Sequence, residues 1–186
     1  TSANLELAIK NLWKPLTCSL PVTKKGSSLI ALPHPYVGMG SYLNEMHYWE
    51  SYFIMLGLEV SGQEQLVEHM VNNFAYLIDV FGHIPATNRT YSLSFSEPPF
   101  FSLMIDLLAN MKGDSIYFKY LPYLEKEYLF WMDGADSIKK NTRYKRLVKF
   151  DDGTVLNRYG DGIEMPREEF YREDVQFAEN SNRTKK

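Results

Sequence analysis

The sequence predicts an all-α protein carrying one small β-hairpin, and two patterns lead there. Apolar residues return every three or four positions through most of the stretch before Gly134, and the runs that keep this period stop at glycine or proline. The period is lost across residues 146–159, where two short strand-like runs, Leu147–Phe150 and Thr154–Leu156, flank Asp151-Asp152-Gly153. At 186 residues, 45% of them hydrophobic, the chain is one domain or a piece of a larger one, with enough apolar material for a sizeable core.

Taken in order, Leu5, Ile9, Leu12, Trp13 and Leu16 make a first amphipathic helix that closes between Pro15 and Pro21. Residues 17–42 are broken by Pro21, Gly26, Pro33, Pro35, Gly38 and Gly40, so they read as one long irregular loop. A second helix follows with Met46, Trp49, Phe53 and Leu56 on its buried face, ending near Gly62. The third is the clearest: Leu66, Val67, Met70, Val71, Phe74, Leu77, Ile78 and Phe81 keep the period, and Gly82 sits where a C′ glycine belongs. After a second long loop, Pro98-Pro99 opens a fourth helix with Ser96 as its cap and Phe100, Leu103, Met104, Leu107, Leu108 and Met111 as its stripe, up to Gly113. Beyond Pro122, Leu124, Tyr128, Trp131 and Met132 mark a fifth helix closed by Gly134. Residues 160–186 are polar and weakly patterned; the end, with Lys185-Lys186, reads as solvated and frayed.

Composition narrows the function classes. A net charge of -3 and a pI near 5.8 argue against a nucleic-acid partner, which needs a basic face. No apolar run reaches the length of a membrane span. The single Cys18 allows no internal disulfide, and the four histidines lack metal-ligand spacing, so neither a metal nor another cofactor is expected. The chain starts Thr-Ser-Ala-Asn, without Met or signal sequence, which reads as a processed or trimmed polypeptide. A soluble monomer is expected, cytoplasmic or periplasmic.

The stretch from Tyr42 to Phe53 concentrates tyrosines, Trp49, Phe53, His47, Glu45 and Glu50 at the junction of a long loop and a helix. Sites tend to sit at such junctions on a rigid scaffold. The aromatic content, 15%, suits either rings stacked on sugar faces or thick helix packing. If successive helices alternate direction, the long connections (17–42, 82–98 and 139 onward) emerge at one end. That is the plan of an α/α toroid with its site at one rim, and also of an ordinary helical bundle.

Several motifs in order resemble the trehalase family. They are Trp49-Glu50-Ser51-Tyr52-Phe53, Gly82-His83-Ile84-Pro85, Asn88-Arg89-Thr90-Tyr91, Pro98-Pro99-Phe100-Phe101, Lys126-Glu127-Tyr128, the run Asp152 to Tyr159, and Pro166-Arg167-Glu168-Glu169. The resemblance runs from the first helix to about Asn182. It implies that residues 1–186 are the N-terminal portion of an (α/α)6 toroid that hydrolyses α,α-trehalose to glucose with inversion. It places the general acid in a Ser-Gly-Trp-Asp segment beyond this chain and the general base further on, so no catalytic residue is expected here.

The chain departs from that pattern where sugar contacts are expected. Tyr42 stands in place of the family's arginine, Leu43 of its phenylalanine, His47 of its tyrosine and Glu50 of its aspartate, while Trp49 is kept. In the second loop Ala86 replaces an asparagine, Phe95 an arginine and Glu97 a glutamine. Arg167 and Glu169 match a sugar-binding arginine and glutamate, with Glu168 in place of a proline. The candidate substrate-binding residues are therefore Trp49, Glu50, Glu97, Arg167 and Glu169, with a disaccharide, trehalose or a related glucoside, as partner. Each has a plainer reading: core filling for Trp49, a helix-surface charge for Glu50, favourable placement at a helix N-terminus for Glu97, and mutual pairing on a solvated loop for Arg167 and Glu169. Asn88 and Arg89 read as loop-fixing. The alternative to a hydrolase is an inactive carbohydrate-binding or structural α/α module.

Overall fold

A computed structural model describes residues 2–40, 44–160, 163 and 165–183. Helices α1 (Ser2–Leu16), α2 (Tyr48–Val60), α3 (Glu64–Phe81), α4 (Phe101–Lys112), α5 (Ser115–Met132) and α6 (Tyr171–Arg183) dominate it. Between α1 and α2, strands β1 (Thr17–Cys18) and β2 (Tyr36–Val37) pair antiparallel. Between α5 and α6, β3 (Thr142–Tyr144), β4 (Leu147–Lys149) and β5 (Val155–Asn157) form an antiparallel sheet in that order. The expected hairpin is thus β4–β5, extended by a third strand.

The core lies among α2, α3, α4 and α5, where Met55, Leu58, Met70, Phe74, Phe101, Met104 and Tyr120 are essentially solvent-free. Burial of such side chains, about 1.5–3 kcal/mol for each large apolar one, is the main force holding the helices together. α3 follows the predicted period, and Gly82 ends it in the left-handed conformation (φ 78°), its N–H bonded to Ile78 O at 2.8 Å.

Elsewhere the structure corrects the sequence reading. The buried face of α2 is Tyr48, Ser51, Met55 and Leu58, whereas Trp49 is 40% and Phe53 57% exposed. α2 is apolar on nearly every side, so periodicity alone did not mark its inner face; Met46 is buried, but from the loop before the helix. α4 begins at Phe101, after the proline pair, and Ser96 does not cap it: its hydroxyl donates to Glu97 O. Leu103 of the expected α4 stripe is exposed, as are Leu5, Ile9 and Leu12 of α1; Trp13 and Leu16 are the α1 residues packed on the core. α5 starts at Ser115 and runs through Pro122, because Ile116, Tyr120 and Leu124 dock both halves against the core. Residues 171–183, part of the polar and weakly patterned stretch, form α6, with Glu173 and Asp174 in the first turn where the helix dipole favours negative charge. Ser41, Tyr42, Leu43 and the terminal lysines lie outside the described residues.

One glycine is required by both torsion and space. Gly134 ends α5 at φ 91°, and a Cβ there would lie 2.4 Å from the Tyr144 ring. Gly134→Ala is expected to cost about 1–2 kcal/mol from the left-handed torsion alone, read as a lower urea midpoint at unchanged slope; an unaltered midpoint would contradict this.

Candidate functional site

The two long loops are sewn together in front of α2. Ile30 N donates to Asn88 O (2.8 Å), Asn88 N to Met46 O (3.3 Å), and Tyr48 N to Ala86 O (2.9 Å). Asn88, fully buried, joins the loop segments with its side chain: Oδ1 accepts Met46 N at 2.8 Å and Nδ2 donates to Ile30 O at 3.1 Å. Arg89 donates from Nε to Glu45 Oε1 (2.6 Å) and from an Nη to Ser28 Oγ (3.0 Å). The loop-fixing reading of Asn88 and Arg89 is the one the geometry shows.

This junction delivers the first turn of α2. Its N-cap, His47, makes no side-chain capping bond, and Glu97 reaches in instead, Oε2 accepting Trp49 N at 3.1 Å. Glu97 therefore does favour a helix N-terminus, that of α2 across the junction and not that of its own following helix. Burial pushes the Glu97 carboxyl up to about 7; the Trp49 and Tyr48 N–H groups pull it down, and the neighbouring Glu50 raises it further. His47, Glu50 and Glu97 each offer a donor atom, all within 4.8 Å of one another, a grouping that could hold a cation and that sequence spacing did not reveal. Trp49 stands half-open beside it, edge-on to Phe100 (centroids 6.0 Å, 80° between planes), and Phe100 also meets Tyr52 and Phe53.

The five candidate residues fall into two groups. Trp49, Glu50 and Glu97 meet at the α2 N-terminus. Arg167 and Glu169 flank the turn before α6. Arg167 does not pair with Glu169: its guanidinium grips Asp174 through Nε (3.0 Å) and Nη2 (2.8 Å) and lies 4.7 Å over the Phe170 ring. That contact holds the Asp174 carboxyl down at about 2. Arg167 lines a cleft of about 370 Å³ with Phe95, Ser96 and Tyr159, next in sequence to Glu97, and a second of about 600 Å³ with Thr90, Tyr91 and Pro166. One buried oxygen of Glu169, Oε2, has no hydrogen-bond partner. Ala86 is buried and offers only its backbone, its N–H donating to Phe95 O at 3.2 Å.

Sequence reasoning missed one polar pair. Tyr48 OH donates to Glu127 Oε1 and accepts Phe101 N at 2.9 Å, tying the starts of α2 and α4 to the middle of α5. Glu127 lines a cleft of about 340 Å³ with Pro99, Trp131 and Asn157. Its place in Lys126-Glu127-Tyr128 was visible; its burial was not.

This arrangement has known relatives. A family model described as Trehalase matches residues 1–186. The periplasmic trehalase of Pseudomonas aeruginosa is 49% identical over 172 residues, 92% of this chain and 32% of that protein. That of Escherichia coli strain HS is 50% identical over 176 residues, 94% and 31% respectively. The structure of neutral trehalase Nth1 from Saccharomyces cerevisiae aligns with a TM-score of 0.56 at 25% identity, over 81% of this chain and 27% of its own. The chain spans about a third of the length of the bacterial relatives. Matched along its whole length and half-identical to both, it belongs to the trehalase family.

Proposed function

We propose that residues 1–186 are a partial α/α toroid forming one wall of a trehalase-type sugar pocket, in a glycoside hydrolase that cleaves α,α-trehalose to glucose with inversion. The observation that carries this is the loop–helix junction: the family match extends across it, and it holds Trp49 half-open with carboxylates at its side. In this reading Trp49 is the stacking platform, Glu50 and Glu97 accept sugar hydroxyls, and Arg167 and Glu169 clamp from the second group. Glu50 and Glu97 are not the acid and base of such a reaction. Their oxygens lie within 4.8 Å of one another, whereas an inverting pair stands roughly 6.5–9.5 Å apart to admit water. The exposed apolar side chains of α5, among them Phe118, Leu121 and Leu129, suit a layer built to be covered by further helices. The relatives named periplasmic make the periplasm the proposed location, and among the described residues no helix is long and apolar enough to cross a membrane.

The second reading is a sugar binder without turnover. It is favoured by Ala86, which is buried and lacks a hydrogen-bonding side chain where the resemblance expects an asparagine. Glucose release from trehalose by the longest form of the protein separates the two. Turnover is expected; saturable binding with no glucose would replace the hydrolase reading by the binder. Arg167→Ala is expected to weaken trehalose binding about tenfold in calorimetry, the scale of one charge-assisted contact; unchanged affinity removes Arg167 from the pocket.

A further inference from the structure

We propose that, in the protein without bound sugar, His47, Glu50 and Glu97 form a binding site for one divalent transition-metal ion, zinc being the ion that best suits the donors, at the N-terminus of α2. One imidazole nitrogen and two carboxylate oxygens lie within 4.8 Å of each other. A nitrogen with two oxygens is a set that zinc accepts readily, leaving a fourth position for water. His47 Nε2 and Glu50 Oε2 are both closed off from solvent without a hydrogen-bond partner. Glu45 Oε2 lies 3.3 Å from His47 Nε2, an ion pair only when the imidazole is protonated, and Glu45 also has Arg89 as its counter-charge, so a neutral His47 is free to turn to a metal. Glu50 and Glu97 have no such partner: among the described residues neither makes an ion pair, although Glu97 gives one oxygen to Trp49 N. Two carboxyl groups facing each other without a basic partner, next to an imidazole, make a donor set that a cation can occupy in place of a proton. Bonds of about 2.0–2.2 Å hold tetrahedral donors roughly 3.4 Å apart, a spacing that donors already within 4.8 Å of one another reach by small side-chain adjustments.

The sequence supports this independently. The trehalase pattern has tyrosine, aspartate and glutamine where this chain has His47, Glu50 and Glu97. Two of these changes, at His47 and Glu97, put a metal-ligating group where the pattern has a phenol or an amide. The same comparison supplies the variants for a test, since His47→Tyr and Glu97→Gln restore the pattern's own residues. Glutamine also keeps an oxygen for Trp49 N.

The test is a calorimetric titration of zinc chloride into the metal-stripped full protein, repeated with cobalt while the visible absorption is followed. One ion per chain is expected, with affinity at least tenfold weaker in Glu97→Gln and in His47→Tyr, and loss of the cobalt bands in both. If His47→Tyr does not fold, Glu97→Gln decides alone. Absence of binding up to millimolar zinc overturns the proposal. So does binding that both variants leave unchanged, or binding abolished by His69→Ala, which would place the ion at the stacked His34–His69 pair (centroids 5.3 Å). The readout involves no sugar, so its outcome is separable from that of the hydrolase reading.

Discussion

Asn88→Ala is expected to lower the unfolding free energy by about 3 kcal/mol and to loosen the loop junction before anything else. The side chain is wholly buried and serves two loop segments at once, accepting from Met46 N and donating to Ile30 O. Truncation strands a backbone donor and a backbone acceptor where water cannot replace the amide, and each such buried group costs about 1–3 kcal/mol. Asn88→Asp divides the effect. It keeps the acceptor for Met46 N but sets a carboxylate oxygen against Ile30 O, so its stability should also fall. Amide exchange separates the two changes: the Met46 N–H should stay protected in Asn88→Asp and open in Asn88→Ala. Urea unfolding of both variants measures the energies, and an alanine variant within 0.5 kcal/mol of wild type would show that the junction does not depend on this residue. The consequence for function is direct, because Met46 leads into His47, Tyr48 and Trp49. A loosened junction moves the α2 N-terminus on which the candidate pocket is built.

What could be seen in advance follows from how locally each feature is encoded. α3 was legible because Glu64, His69, Asn72 and Asp79 separate its apolar residues cleanly, and a glycine with positive φ ends it. α2 was legible as a helix but not as a face: Trp49, Tyr52, Phe53, Ile54 and Met55 give every side an apolar claim, and only the packing partners in α3 and α4 select Tyr48 and Met55. Pro122 and the polar α6 misled for the opposite reason, since local propensity there is overridden by docking or carries too little apolar signal. The site shows the same division. The junction was marked by its aromatic density and by the family resemblance. That Glu97, 48 positions after Trp49, would take that residue's N–H, or that Arg167 would turn to Asp174, depends on contacts no window of sequence contains.

The Tyr48–Glu127 pair carries the second large effect, and its sign can be worked out. Burial pushes the Glu127 carboxyl up from 4.5 to about 7, with the Tyr48 hydroxyl pulling the other way by donating to it. The same surroundings hold the Tyr48 phenol well above its usual range, so it stays a donor throughout. The folded state thus keeps a proton that the unfolded chain releases. Below pH about 4.5 both states hold it, and the stabilisation is fully present. Between about 4.5 and 7 the unfolded chain binds fewer protons and stability falls with rising pH; above about 7 both are ionised and the contribution is gone, a span of about 3 kcal/mol. Glu127→Gln keeps an acceptor for Tyr48 without the titration, so wild type and variant should match near pH 4.5 and diverge in favour of the variant by pH 8. A difference independent of pH would mean that Glu127 ionises in the fold as it does in water. Tyr48→Phe removes the hydroxyl from both of its partners, leaving the buried Phe101 N without an acceptor and the nearly buried Glu127, at the edge of its cleft, without its donor. The expected cost is about 3 kcal/mol. Most of it should be recovered in the double variant Tyr48→Phe, Glu127→Leu if the orphaned carboxyl dominates, and little of it if the Phe101 N–H does.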